Sequence, residues 1–257
     1  MLPVAKAGIA RRLLHWGSQL QVLIFLVTVS LMPGNLKKTT LTFLYMICGC
    51  RFGGIISIMH LIFLPGASGS TAFWQPVIQQ LSADHQKTVM AYPSFAGHPE
   101  HPHIHSFDDL QSYILHQIQQ PSIVIAQSMG GVFAVQAALQ KPELINALVL
   151  VASSGGIDLS PFQVANWRGD YQQTFAVPNW FVEHQSHLDD LLYKIECPVL
   201  LLWGDADPIS PVGVGKYLHE KIQHSRLHVI EQGQHDLANV HAHQVARLIQ
   251  DFISDIK

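Results

Sequence analysis

Charge is what this sequence is short of. Only 13% of its 257 residues are Asp, Glu, Lys or Arg, and the formal net charge is −3. That leaves no basic face to neutralise phosphates, and so no electrostatic case for a nucleic-acid partner. Acid is missing from the whole first part of the chain. Lys6, Arg11, Arg12, Lys37, Lys38 and Arg51 precede His60, and the first acidic residue is Asp84. From residue 59 onward the balance reverses, with nine Lys and Arg against eighteen Asp and Glu. Two charge regimes share one chain, and they switch near residue 58.

Cysteine is scarce too. Cys48, Cys50 and Cys197 form an odd, sparse set at no metal-ligand spacing. This argues against a disulfide framework and fits a reducing compartment, with the cytoplasm as the expected location. The opening stretch also lacks a cleavage site. Its basic residues precede an apolar run from Leu20 to Met32, shorter than the ~20 residues of a spanning helix and followed by no small-x-small pattern. A second apolar run, Leu41 to Leu64, is interrupted by Arg51 and Gly53-Gly54. Residues 1–58 are therefore read as a membrane anchor, an uncleaved signal-like segment or an upstream extension of a chain whose domain begins at Met59. Membrane contact, at the inner membrane, is expected only through this segment.

Apolar material is plentiful, at 48% of residues. From Met59 onward, short apolar runs alternate with helical patterns. Strands are expected at His60–Leu64, Thr88–Tyr92, Ser122–Ala126, Ala147–Ala152, Pro198–Trp203 and Arg226–Ile230. Helices are expected over Thr71–Leu81, after the Ser106-x-x-Asp109 capping box, after Ser128 to about Leu139, near Val212–Ile222 and over Val240–Ile253. Strands apolar throughout and separated by helices imply a doubly wound, mostly parallel α/β sheet covered on both faces. One insertion, residues 157–196, lies between the fourth and fifth strands. It is rich in aromatics, and an insertion of that length suggests a lid over an apolar pocket.

The chemistry-bearing residues fall at strand ends. Ser128 sits in Ala126-Gln127-Ser128-Met129-Gly130, where a strand runs into a helix and small flanking residues permit a sharp turn. A serine hydroxyl needs a base, a group that orients the base, and donors for an oxyanion. Asp205 and Asp207 follow the fifth strand, and His235 follows the sixth. The amides of Met129, at a helix N-terminus, and Ala67, in the turn Pro65-Gly66-Ala67, are the expected oxyanion donors. The run Pro65 to Ser70 lacks the Lys-Ser/Thr ending of a phosphate loop. His98, His101, His103 and His105 crowd one loop, but no acidic or cysteine ligand completes a metal site there. A solvated loop rimming the pocket is the expectation, with no metal and no cofactor.

These residues resemble the α/β-hydrolase superfamily over residues 59–257. The order Ser128, Asp207, His235 is that of the family's Ser, Asp/Glu, His. The Leu64-Pro65-Gly66 turn sits where the family has its oxyanion loop, and Gly204-x-x-Asp207 matches the family's acid position, which favours Asp207 over Asp205. Three features depart from the pattern: Ala126 replaces the first elbow glycine, the family's first two strands have no counterpart before His60, and the lid is short. The resemblance implies a minimal α/β-hydrolase sheet with a short lid. It also implies a Ser128–His235–Asp207 triad and acyl transfer on a small carboxylic ester or thioester. Carbon–carbon bond hydrolysis, cofactor-free perhydrolysis and a non-catalytic ligand receptor stay open as alternatives. Substrate contacts are expected from Gln127, Ser68, Trp167 and Trp180. Oligomeric state is left open.

Overall fold

The chain divides into two units, Met1–Ile56 and Ser57–Lys257. The computed structural model describes residues 6–16, 20–31, 39–49, 58–166, 169, 171, 174 and 177–256, the first three stretches as backbone only. In the first unit β1 (Lys6–Trp16), β2 (Leu20–Leu31) and β3 (Thr39–Gly49) form an antiparallel sheet in that order. Its register pairs Leu13 with Leu23 and Leu26 with Leu44. The apolar run beginning at Leu20 is thus a strand here. Among the described residues no helix is long and apolar enough to cross a membrane.

The second unit holds six strands: β4 (His60–Leu64), β5 (Gln86–Val89), β6 (Ser122–Gln127), β7 (Ile145–Val151), β8 (Val199–Gly204) and β9 (Ser225–Ile230). They pair in the order β5-β4-β6-β7-β8-β9, every neighbour parallel. The two-residue period of a strand decides which helices cover which face. Leu61, Phe63, Ile123, Ile125, Leu200 and Leu202 pack on one side. There they meet Trp74, Val77 of α1 (Gln75–Ile78) and the apolar stripe Val245, Ile249, Phe252 and Ile253 of the long C-terminal helix. Ile62, Leu64, Val124, Ala126, Leu201 and Trp203 face the other side. They are covered by α2 (Phe107–Gln117) and α3 (Gly130–Gln140). After α4 (Asn179–Glu183) in the insertion, α5 (Val212–Lys221) adds Val214 and Leu218 to this second layer. Two covered faces are the doubly wound architecture the strand pattern requires.

Boundaries differ from expectation where tertiary contacts decide them. The second strand lies at Gln86–Val89, not Thr88–Tyr92, because β5 is an edge strand bonded only to β4 and the chain leaves it after Val89. Tyr92 then turns into the core, fully buried, and its hydroxyl donates to the Pro65 carbonyl at 2.7 Å. The helix expected over Thr71–Leu81 is a 3-10 turn, Thr71–Trp74, followed by a single α-helical turn with Pro76 near its start. The last helix is two, α6 (Leu237–Val240) and α7 (Ala242–Asp255). The capping box holds: Ser106 Oγ accepts the Asp109 N–H at 3.1 Å and donates to its carboxylate at 2.8 Å.

Strand order positions the site. The chain leaves β4 outward to β5, then crosses back to β6 on the other side of β4. The loops after β4 and β6 therefore depart in opposite directions and open a crevice at the carboxyl ends of the strands, where open α/β sheets bind their ligands.

Candidate active site

Ser128 follows directly on β6 with φ of +53°, in the left-handed region that favours glycine. Such strain costs about 1–3 kcal/mol and persists only where the surroundings fix it. Here they do. The Ser128 N–H donates to the Val151 carbonyl at 3.0 Å, and its own carbonyl accepts from Gly131 N at 3.0 Å and from Ser153 Oγ at 2.7 Å. Ser153 is fully buried and accepts in turn from Gly155 N at 3.0 Å. The turn also needs room. A Cβ on Gly130 would stand 2.5 Å from the Pro65 carbonyl oxygen and 2.8 Å from that of Leu64. Those two carbonyls are fixed, Pro65 by Tyr92 and Leu64 by the Trp74 indole N–H at 3.1 Å. Ala126 is fully buried and accommodates its methyl where the family has glycine.

His235 Nε2 lies 2.9 Å from Ser128 Oγ, and His235 Nδ1 lies 2.9 Å from Asp207 Oδ2. The Asp207 side chain is fully buried, while His235 keeps 23% of its side chain exposed toward the cavity. The other Asp207 oxygen accepts from Ile209 N at 2.8 Å and Ser210 N at 3.0 Å, which locks the carboxylate's orientation. Asp205 does something else: its Oδ1 accepts the Gln232 N–H at 2.6 Å and shapes the turn after β9. Two glycines bring the acid and base loops together. A side chain on Gly204 would overlap the Gly233 backbone, and Ala206 N donates to the Gly233 carbonyl at 3.0 Å. From the sequence Gly204 was read only as part of the Gly-x-x-Asp pattern, and Gly233, Ser153, Tyr92 and Trp74 were given no part in the site. A glycine at the end of β8 and another three residues past β9 are the local signal, and it is a weak one.

A cavity of about 470 Å3 opens over Ser128 and His235. Met129, Val132, Ala152 and Ile157 lie near the serine, and residues 158–166 and 184–187 of the insertion supply most of the remainder. His184 stacks on Phe107 with ring centroids 3.5 Å apart and planes 4° off parallel, and its Nε2 is 2.8 Å from Ser186 Oγ. Burial holds this imidazole below its usual value, which favours the neutral ring.

The residues expected to touch substrate are placed differently. Trp180 does not line this cavity. It packs edge-on against Phe95 and Phe181 and faces a separate cavity of about 390 Å3 with His101, His105 and Glu100. The histidine loop rims that second cavity, not the one over Ser128. Among the described residues no three His, Cys, Asp or Glu side chains are placed to hold a metal ion. Phe181 is buried in the core, so among the described aromatics of the insertion only Phe162 reaches the cavity wall. Gln127 is buried behind the site, where its Nε2 donates to the His235 carbonyl at 3.2 Å. Ser68 bonds the Tyr171 phenol, whose pKa burial raises. Trp167 lies outside the described residues.

A family model described as the α/β hydrolase fold matches residues 59–179, which carry β4, β6, the elbow and α3. This chain has the α/β-hydrolase fold. A pimeloyl-(acyl-carrier protein) methyl ester esterase of Neisseria meningitidis serogroup B is 26% identical over 204 residues, covering 61% of this chain and 79% of the relative. The uncharacterised hydrolase YugF of Bacillus subtilis is 24% identical over 243 residues, covering 75% and 89%. A solved putative lipase from Acinetobacter baumannii superposes with a TM-score of 0.66 at 17% identity, covering 97% of this chain and 92% of that one. MenH from S. aureus superposes equally well, with a TM-score of 0.66 at 15% identity, covering 79% and 96%. The α/β-hydrolase sheet is thus shared widely.

Proposed function

We propose that the chain hydrolyses small carboxylic esters or thioesters through an acyl-enzyme on Ser128. The observation that carries this is the unbroken hydrogen-bonded series Asp207–His235–Ser128, ending on a strained serine at the floor of a cavity. The relatives named as esterases and hydrolases support ester hydrolysis as the reaction class.

His235 Nε2 takes the hydroxyl proton as Ser128 Oγ attacks the substrate carbonyl, and Asp207 stabilises the imidazolium while holding its orientation. The two backbone amides bonded to the other Asp207 oxygen keep the carboxylate from rotating away. The N–H groups of Met129, at the start of α3, and Ala67, in the β4 turn, are the oxyanion donors. Among the described residues neither amide is engaged in a backbone hydrogen bond. Tyr92 and Trp74 fix the two carbonyls just ahead of Ala67, so that loop is set before substrate arrives. His235 then returns its proton to the leaving alcohol or thiol. Water activated by the same imidazole hydrolyses the acyl-enzyme. Residues 59–257 carry all of these groups, and the first unit supplies none.

A p-nitrophenyl acetate assay with fluorophosphonate labelling tests this. The full chain turns over the ester and is labelled once, and Ser128→Ala loses both. A folded parent that is neither labelled nor active refutes the proposal.

A further inference from the structure

Asp207 is held by amides that themselves need holding. One of its oxygens faces His235, and the other accepts from Ile209 N at 2.8 Å and Ser210 N at 3.0 Å. Both N–H groups in this half of the loop are thus turned inward, and Pro208 and Pro211, on either side of them, have none. The first half is tied differently. There Asp205 N donates to the Ile230 carbonyl at 3.2 Å and Ala206 N to that of Gly233 at 3.0 Å. Through its own N–H groups, the half that orients the acid makes no bond to the sheet.

A side chain of the sheet makes that bond instead. Trp203 Nε1 donates to Ser210 Oγ at 3.1 Å. Trp203 is fully buried and Ser210 is only 4% exposed, so water competes little for this bond. Trp203 lies on β8 and pairs with Val229 of β9, so the ladder fixes its backbone. Its ring lies against α5 at Gly215, where a Cβ would stand 2.7, 3.0 and 3.1 Å from three ring atoms. Glycine there lets helix and ring approach that closely, and the contact keeps the ring from turning. The indole bond therefore closes the segment from Trp203 to Ser210 into a loop with Asp207 inside it. A further outward bond, from Ala165 N to the Pro208 carbonyl at 2.8 Å, comes from the insertion and not from the sheet.

We propose that Trp203 and the Ser210 hydroxyl are positioning residues for the triad: their bond pins the Ser210 amide, and that amide aims the Asp207 carboxylate at His235 Nδ1. Both act through Asp207, and neither carries a proton in the reaction. A merely structural pair would satisfy the buried indole N–H and leave the acid unaffected. The inference rests on the ester-hydrolase reading above.

Two single variants and their combination test it on the full chain. Trp203→Phe keeps an aromatic ring beside Gly215 and removes the donor. Ser210→Ala removes the acceptor and keeps the amide that bonds Asp207. Each is expected to lower kcat on p-nitrophenyl acetate by roughly threefold to tenfold, the range that one net hydrogen bond supplies, with KM within about twofold. The double variant is expected to lose no more than about twofold beyond the larger single loss, because both changes remove the same bond. In proton NMR the downfield resonance of the His235 Nδ1–H shared with Asp207 is expected to shift or broaden in each variant. Circular dichroism checks the fold, and if Trp203→Phe does not fold, Ser210→Ala carries both readouts alone. A parental kcat or a parental resonance in a folded single variant overturns the proposal. So do losses that multiply in the double variant, or an effect confined to KM. The resonance needs no turnover. It still decides the support if the parent is neither active nor labelled by fluorophosphonate, the result that refutes the hydrolase reading.

Discussion

Gln127→Met distinguishes a substrate contact from a residue that sets the geometry of the site. Gln127 directly precedes Ser128, and a substrate contact was expected there. Its side chain instead runs between two of the loops that build the site. Nε2 donates to the carbonyl of His235 at 3.2 Å, and Oε1 lies against Gly66, so closely that a Cβ there would overlap it. Met matches Gln in length and volume and removes the donor, so packing is kept while the bond to the base loop is lost. A net hydrogen bond of this kind is worth about 0.5–1.5 kcal/mol. If that energy holds His235 in line with Ser128, its loss lowers kcat by roughly threefold to tenfold. KM stays within about twofold, because no contact to substrate is removed. Stopped-flow acylation with p-nitrophenyl acetate reads both, and circular dichroism checks the fold. Gly66→Ala adds a second reading. Alone it drives Gln127 out of place and lowers kcat, whereas in a Gln127→Ala background only the 3.1 Å approach to Ser128 Cβ remains, and the added loss is smaller than the single change costs. A folded Gln127→Met enzyme with parental kcat, or with the whole effect in KM, refutes the positioning argument and restores Gln127 as a substrate contact.

Gly130→Ala places a methyl against two carbonyls that Tyr92 and Trp74 hold in place. Overpacking of this kind costs about 1–3 kcal/mol, read as a lower urea midpoint with an unchanged slope. His60 bridges Ser122 and Thr88 at 2.9 Å each, across β4, β5 and β6, and burial lowers its pKa. The unfolded chain therefore binds the proton first as pH falls below about 6.5. Stability is full above that value and declines toward the lower folded pKa. His184 shifts in the same direction. Melting temperature compared at pH 7.5 and 5.5 is expected to fall, and to fall less in His60→Gln. Burial pushes the Cys197 thiol up to about 11. Alkylation by iodoacetamide at pH 8 is therefore expected to be slow in the folded protein and fast in urea, as a mass shift followed over time will show.

Much of the site was legible in the sequence because its parts are local. The strand-to-helix turn at Ser128, the glycine-rich turn after β4 and the apolar runs all announce themselves within a few residues. The order of Ser128, Asp207 and His235 could be read by family resemblance. Whether Asp205 or Asp207 meets the histidine could not be read from spacing, since both lie in one turn. The fold decides it by pressing Gly204 onto Gly233 and sending Asp205 to the Gln232 amide. Which residues line the cavity could not be read for a similar reason. Composition counts the aromatics of the insertion but not the direction they face, and at Trp180 and Phe181 that direction is set by Phe95 and Phe107, far away in the chain.

By itself the sequence determined the parallel sheet, because alternating apolar strands and amphipathic helices have one economical way to bury both sheet faces. It also determined which serine lies at a turn too sharp for most residues. Only the tertiary structure decided the supports of that turn, Ser153 bonded to the Ser128 carbonyl and Tyr92 and Trp74 bonded to the carbonyls of the neighbouring loop. Each support is a contact between residues distant in the chain, and local sequence carries no record of such pairing until the strands have chosen their neighbours.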